Sequence, residues 1–332
     1  MEQLGGIDSC CAQRRGAAAG NAPALAVIGA SPPMSSATGA GHRHHAIAQA
    51  VIPAGVFLMG DTTGDRNPSD GEGPVHEVVV SEFSIDTTSV TNEQFSVFVH
   101  ETGYRTEAER FGFSAVFHLA VDTAAGNIMS AASGTPWWLG VSGATWSHPG
   151  GPGSGIDELG DHPVVHVSWN DAMAYCEWSG RRLPTEAEWE RASRGGFDGA
   201  RYPWGDDLFG PGDPAWRCNI WQGDFPVRNT VDDGWLTTAP ARSFEPNGFG
   251  LWQTVGNVWE WCADWYSPGY YSSSPRENPT GPDAGSARVL RGGSYLCHDS
   301  YCNRYRNSAR SSNTPDSSMG NAGFRTVALA NH

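Results

Sequence analysis

Two thiols, Cys297 and Cys302, stand five residues apart in the stretch Arg291-Gly292-Gly293-Ser294-Tyr295-Leu296-Cys297-His298-Asp299-Ser300-Tyr301-Cys302-Asn303-Arg304. A histidine and two tyrosines accompany them, directly after a glycine turn. Cysteines this close together serve redox chemistry or metal capture. Soft thiolates select soft cations, above all Cu(I), and two sulfurs are too few for a closed structural zinc site. A local disulfide would also satisfy the spacing, although in a reducing cytosol a surface disulfide is unstable.

Such a turn needs a scaffold. Three helices are signalled by capping boxes, in which a Ser or Thr side chain and a carboxylate or amide three residues on satisfy each other's backbone donors. Thr91 with Gln94 precedes Phe95, Phe98 and Val99; Ser168 with Asp171 precedes Ala172, Tyr175, Cys176 and Trp178; Thr185 pairs with Glu188. Gly180 and Gly195-Gly196 supply stops. Val51 to Gly60 reads as a strand, a proline-glycine turn and a second strand, and His76–Val80 and Phe83–Ile85 read as further short strands. Beyond residue 200 short irregular elements punctuated by Gly, Pro and Asn are expected. Residues 1–48, rich in Ala, Gly, Ser and Pro, read as a disordered extension in which His42, His44 and His45 are solvated. With no internal repeat and no linker, 49–332 reads as one domain.

Composition agrees. Gly 42, Pro 22 and Trp 14 in 332 residues favour a loop-rich core filled by flat side chains over a helical bundle. The net charge of -15 argues against nucleic acid and favours cationic partners, calcium or a basic peptide among them. Seven scattered cysteines do not make a disulfide scaffold. No run of 18 apolar residues is present, so no membrane span is expected. Arg14-Arg15 before an alanine-rich stretch is similar to a twin-arginine signal, but Asn21 and Pro23 interrupt it and no bulky hydrophobics follow.

The cysteine segment, with Asn313-Thr314-Pro315-Asp316-Ser317-Ser318 behind it, closely resembles the formylglycine-generating enzymes. The resemblance runs from about Val51 to Val327. It is carried by His162-Pro163-Val164-Val165-His166-Val167-Ser168-Trp169, Arg182-Leu183-Pro184-Thr185-Glu186-Ala187-Glu188-Trp189-Glu190, Asn219-Ile220-Trp221-Gln222-Gly223, Gly256-Asn257-Val258-Trp259-Glu260-Trp261 and Gly323-Phe324-Arg325. These motifs imply a fold: a single irregular, loop-rich α+β domain similar to the C-type lectin fold. Only the cysteine segment separates true oxidases from cysteine-less paralogues.

The resemblance implies a copper oxidase that uses O2 and an external reductant to convert a cysteine of a sulfatase polypeptide, in a Cys-x-Pro-x-Arg-type motif, to Cα-formylglycine. Cys297 and Cys302 would hold Cu(I), and Ser294, His298, Tyr301 and Asn321 would line the active site. Ser114, Trp137 and Trp138 would border the peptide groove, with core packing the other reading of the tryptophans. Arg310 matches an arginine near the site, which a buried ion pair would explain equally. Calcium is implied at Asn219, Ile220, Asp233 and Trp235, and in part at a second site of Gln253, Gly256, Val258 and Glu260, where the family commonly has asparagine in place of Gln253.

His162 and His166 invite comparison with an iron-binding histidine triad in the same superfamily. The intervening Pro163-Val164-Val165 implies extended chain, which separates the two by about 13 Å, and Ser168 stands where the triad needs a carboxylate; iron is therefore not expected. Relatives of the secretory pathway carry two disulfides where this chain has Ser193, Asn307 and Thr326, leaving Cys176 alone, so the cytoplasm is the expected location. A non-catalytic, lectin-like binding module is the competing function; such a module has no reason to place two cysteines together in a groove.

Overall fold

The structure is a computed structural model that describes residues 45–209 and 215–329. His42, His44, Cys10, Cys11 and the arginine pair lie outside the described residues. Residues 45–48, expected in the extension, already belong to the fold. Ile47 is core, and the His45 side chain, 3% exposed, places Nε2 at 2.8 Å from Asp86 Oδ1 and Nδ1 at 3.2 Å from the Tyr175 hydroxyl. The reading of His45 as solvated is therefore corrected: the buried Asp86 carboxylate needs donors, and His45 is one of them.

In chain order, β1 (Gln49–Ile52), β2 (Gly55–Met59), β3 (His76–Val80) and β4 (Phe83–Asp86) precede α1 (Asn92–Thr102) and α2 (Glu107–Phe111). β5 (Phe113–Phe117), β6 (Ile128–Ala132) and β7 (Thr135–Ser142) follow, then α3 (Trp169–Ser179), β8 (Arg181–Arg182) and α4 (Glu186–Ser193). The last third holds short strands and one 3-10 turn (Tyr270–Ser272) among its described residues: β9 (Gly223–Asp224), β10 (Arg228–Asn229), β11 (Trp259–Trp265), β12 (Arg288–Arg291), β13 (Arg310–Asn313), β14 (Ala322–Gly323) and β15 (Val327–Ala328).

All three expected capping boxes form, at Thr91, Ser168 and Thr185, and each helix starts where its box predicts. A fourth, Thr106 with Glu109, opens the short α2. The segment 51–60 does contain two strands, but they do not pair with each other. β1 joins a sheet of order β1-β4-β15-β8, while β2 pairs with β3. β5-β7-β6 forms a three-stranded sheet, and β13-β12-β11-β14 a four-stranded one with β11 and β14 parallel.

The main hydrophobic cluster draws residues from Ile47 to Phe324 and is dominated by aromatics, among them Phe95, Phe98, Trp138, Tyr175, Trp221, Trp259 and Trp261. A second cluster, including Ile52, Phe57, Val78, Ile85 and Val327, fills the space beneath β1 to β4. Charge is buried as well. Arg291, Arg306, Arg310 and Arg325 are each at most 1% exposed and each meets a glutamate: Arg291 with Glu186 and Glu190, Arg306 with Glu72, Arg310 with Glu186, Arg325 with Glu260. Such pairs contribute little net stability, yet loss of one partner strands a charge in low dielectric. They fix which elements lie together: Arg291 of β12 is pinned to two glutamates of α4.

Candidate functional site

β12 ends at Arg291 and the chain turns on two glycines with positive φ, +94° at Gly292 and +73° at Gly293. A Cβ would stand 2.6 Å from the Thr254 carbonyl oxygen at the first and 2.6 Å from the Arg304 carbonyl oxygen at the second, so no other residue fits. This close approach drives the following residues inward. The Cys297 N–H donates to the Ser294 carbonyl at 2.9 Å, and the Tyr301, Cys302 and Asn303 N–H groups all converge on the His298 carbonyl at 3.0–3.1 Å. The two cysteines thus bracket a single tight turn. Both are buried thiols, 0% and 3% exposed, in the main cluster.

Around Cys297 the polar groups are few and unevenly satisfied. The Ser294 N–H points at Cys297 Sγ at 3.4 Å. Ser294 Oγ accepts from Asn321 Nδ2 at 2.9 Å and from the Leu296 N–H at 3.3 Å, so its lone pairs are used, and it donates no hydrogen bond among the described residues. Asn321 is fully buried and its Oδ1 has no partner among the described residues. A donor proton and an acceptor oxygen are therefore both idle beside a thiol, in a place where buried polar groups are normally paired.

Aromatic rings complete the wall. Tyr301 stacks on Phe225 at 4.3 Å and meets Trp137 edge-on at 5.2 Å; Trp221 meets Phe225 at 5.2 Å. The Trp221 backbone N–H donates to the Cys297 carbonyl at 3.1 Å, tying this wall to the turn. His298 is partly exposed and turns back on its own loop, Nδ1 at 2.7 Å from Ser300 Oγ and 3.1 Å from Asp299 Oδ1. Phe225 carried no expectation in the sequence; its signal was the Phe225-Pro226 step directly behind the Asn219–Gly223 motif.

The expected groove residues separate. Trp137 is half-buried and faces Tyr301 and Phe225, whereas Trp138 is 1% exposed and packs on Phe117, which is the core reading. Successive strand residues point to opposite faces, so the pair divides between rim and interior. Ser114 is also interior, 1% exposed. His166 Nε2 lies 2.9 Å from the Pro149 carbonyl and must carry the ring proton; Nδ1 then accepts from Ser114 Oγ at 2.8 Å, and Ser318 donates to Ser114 at 2.8 Å. Burial lowers the His166 pKa to about 4, so the ring is neutral. His162 turns elsewhere, to Thr238 Oγ1 and the Trp235 ring. The extended reading of 162–166 holds only to Val165, because His166 has φ +59°.

Arg310 is corrected. It is 0% exposed, makes two bonds to Glu186 at 2.6 and 2.9 Å and donates to the Gly71 carbonyl, so it belongs to the buried ion-pair cluster and not to a surface that a peptide could reach.

The first calcium constellation does converge. The Asp233 carboxylate accepts from the Ile220 and Trp235 N–H groups, each at 3.0 Å, and Gln222 caps the Ile220 carbonyl. Asn219 donates through Nδ2 to the Thr237 carbonyl at 2.8 Å, while its buried Oδ1 has no partner. Burial raises the Asp233 pKa, and among the described residues no cation pairs with it. An orphaned amide oxygen beside a desolvated carboxylate and a loop carbonyl fits a hard cation. The second constellation does not fit. Glu260 accepts from Arg325 Nε and Nη2 at 2.7 Å each, from Trp189 Nε1 at 2.7 Å and from Ser89 Oγ at 3.0 Å, leaving no lone pair for calcium. Gln253 keeps an idle Oε1, but with the Glu260 carboxylate fully used the expected site of Gln253 with the Gly256 and Val258 carbonyls lacks its anion.

Residues 36–330 match the model of the sulfatase-modifying factor enzyme 1-like domain. The chain belongs to this family. It is 58% identical over 302 residues to the formylglycine-generating enzyme of Streptomyces coelicolor, covering 91% of this chain and 96% of that protein. It is 52% identical over 278 residues to the formylglycine-generating enzyme of Bos taurus, covering 83% and 73%. A second Bos taurus protein, named inactive C-alpha-formylglycine-generating enzyme 2, is 46% identical over 283 residues, covering 84% and 87%. Family membership therefore leaves activity to be argued from the site. The structure of PvdO from Pseudomonas aeruginosa shares the fold, with a TM-score of 0.61 at 24% identity over 84% of this chain and 93% of that one.

Proposed function

We propose that the chain oxidises a cysteine of a sulfatase polypeptide, in a Cys-x-Pro-x-Arg-type motif, to Cα-formylglycine, with Cu(I) held by Cys297 and Cys302. The observation that carries this reading is the buried thiol pair bracketing one turn, with the idle Ser294 proton and Asn321 Oδ1 beside it. A binding module gains nothing from that arrangement. The donor set is soft and suits Cu(I); when bound, the metal supplies the redox chemistry with O2 that no side chain here can perform. The chain's own residues exclude water through Trp137, Phe225 and Tyr301, and Ser294 and Asn321 orient a peptide or an oxygen species through their unused proton and lone pairs. In balance, one substrate thiol and one O2, with two electrons and two protons from an external reductant, give aldehyde, hydrogen sulfide and water. Loss of a Cβ hydrogen gives a thioaldehyde, which water converts to the aldehyde.

The test is copper titration together with mass spectrometry of a cysteine peptide and its serine twin. Wild type should take up about one Cu(I) and convert only the cysteine peptide, consuming O2 in step; Cys302→Ser should lose most of the copper affinity, since no soft ligand replaces the sulfur. Equal affinity in that variant, or aldehyde from the serine peptide, would sink the reading.

Calcium at Asn219, Ile220, Asp233 and Trp235 is proposed as a structural ion. Chelator should lower the melting temperature of the wild type, and Asp233→Ala should melt low and ignore chelator; an unchanged wild-type curve would remove calcium from the account. The cytoplasm is the proposed location. Two of the positions at which the resemblance implies disulfide cysteines are here Ser193 and Asn307, joined by a 2.8 Å hydrogen bond that needs no oxidant. Among the described residues no helix is long and apolar enough to cross a membrane.

A further inference from the structure

A groove of about 840 Å³ opens where the sheet β1-β4-β15-β8 meets the sheet β13-β12-β11-β14. Phe83, Trp169, Met173, Leu183 and Leu329 supply its apolar walls, and Arg288 its most unusual group. None of these residues belongs to the thiol turn, to the aromatic wall beside it or to the loops of the calcium constellation.

Arg288 is held but not neutralised. Its guanidinium carbon lies 3.8 Å from the Trp169 ring centre and 3.4 Å from that of Trp265, so indoles cover it. Trp169 is itself anchored, through Nε1 to the Cys262 carbonyl at 3.0 Å. Nη1 of Arg288 donates to the Ala263 carbonyl at 2.6 Å, but its Nε is buried without a partner and no carboxylate forms an ion pair with it among the described residues. The contrast with Arg182 on the same groove is direct: Arg182 is answered by Glu188 through two 2.6 Å bonds. Glu82 also lines the groove and is exposed to water. Asp283, the nearest acid in sequence, is exposed and forms no ion pair with Arg288, and Asp264, next to Ala263 on β11, accepts from the Glu186 N–H at 2.8 Å, while burial with Glu186 beside it pushes its pKa up to about 8, so at neutral pH it is mostly uncharged.

A fixed planar cation that no carboxylate answers among the described residues, set in an apolar trough, has the recognition chemistry of a carboxylate carried on a hydrocarbon body. We propose that this groove is a second ligand site, independent of the thiol centre, for an amphipathic organic carboxylate. Arg288 meets the head, and the body lies on Phe83, Met173, Leu183 and Leu329. The bulky apolar walls exclude a bare inorganic anion as the preferred ligand, because sulfate or phosphate would leave them wet.

Calorimetric titration with octanoate and with its uncharged analogue 1-octanol tests the site. Octanoate should bind saturably near one equivalent and at least about tenfold more tightly than octanol, since only the anion satisfies Arg288. Arg288→Met should erase that preference. Because Arg288 also bonds across β11, a second variant guards against misfolding: Leu329 is 52% exposed, so Leu329→Asp should leave the unfolding midpoint unchanged while weakening octanoate about tenfold through repulsion and lost contact. Cys297→Ser should bind octanoate like the wild type, which keeps this site distinct from the oxidation chemistry. Equal binding of octanoate and octanol, undiminished binding in Leu329→Asp, loss of binding in Cys297→Ser, or no saturable heat at all would each overturn the proposal.

Discussion

Arg291 and Ser294 are three residues apart and equally buried, at 0% exposure, yet their surroundings are opposite in kind. Arg291 closes β12 with a guanidinium whose Nη atoms meet Glu186, Glu190, Tyr271, and the carbonyls of Asn307 and Ser308. Ser294 opens the thiol turn with an idle proton, and its partner Asn321 has an idle oxygen. Buried polar groups cost stability unless paired. Arg291 Nε is also left without a partner among the described residues, so the difference lies in charge: an ion-pair cluster on one side of the glycine turn marks scaffold, and uncharged polar groups beside two thiols on the other mark a place that something from outside the chain can complete.

The largest expected effect lies on the scaffold side. Arg291→Met removes one cation from between two buried glutamates, and breaking such a pair costs about 3–5 kcal/mol. Urea denaturation should show the midpoint falling at unchanged slope. Cys297→Ser, just beyond the glycine turn, exchanges a buried thiol for a hydroxyl and should cost less, about 1–2 kcal/mol. If both variants unfold alike, the division between scaffold and site fails.

Much of this division was legible in the sequence, though not all for the same reason. The helices were readable because a capping box is local: Thr91, Ser168 and Thr185 each need only a partner three residues away. The thiol turn was readable because Gly292-Gly293 and the cysteine spacing are contiguous. The roles of Arg310, Glu260 and Trp138 were not readable from spacing, because each depends on a residue far off in the chain. Arg310 meets Glu186, Glu260 meets Arg325, and Trp138 packs on Phe117 from a neighbouring strand. Family position brought Arg310 and Glu260 near a function; only the fold shows that their charges are already spent. His45 was missed for a related reason, since its partner Asp86 looks like any strand-end acid until it is buried.

His166 belongs to neither region; its Nδ1 accepts from Ser114, which in turn accepts from Ser318. Its pKa is depressed to about 4 in the fold against about 6.5 unfolded. Above pH 6.5 both states are neutral and no stability is lost. As pH falls from 6.5 towards 4 the unfolded chain binds a proton that the fold does not, and about 3 kcal/mol is lost across that window. Asp171, raised to about 6 by burial, acts with the opposite sign over much of the same range, because the folded state protonates it first. The histidine is therefore read as a difference: wild type should lose more stability than His166→Gln between pH 6.5 and 4. Parallel curves for the two proteins would mean that the buried ring is not the acid-sensitive group.

The smallest effect on stability should be the most informative about the site. Asn321→Ala deletes the donor to Ser294 Oγ and the idle Oδ1 together. The lost hydrogen bond costs about 1 kcal/mol, and the idle oxygen contributes nothing to the fold in the absence of a ligand, so its removal relieves an unpaired buried acceptor. Stability should then change by about 1 kcal/mol or less. Turnover of the cysteine peptide should fall about 10- to 100-fold, the range seen when groups that orient metal ligands are removed, with copper affinity reduced far less than in Cys302→Ser. A variant that unfolds as readily as Arg291→Met while keeping its turnover per folded molecule would place Asn321 with the scaffold. Incomplete pairing beside the thiols would then carry no functional meaning.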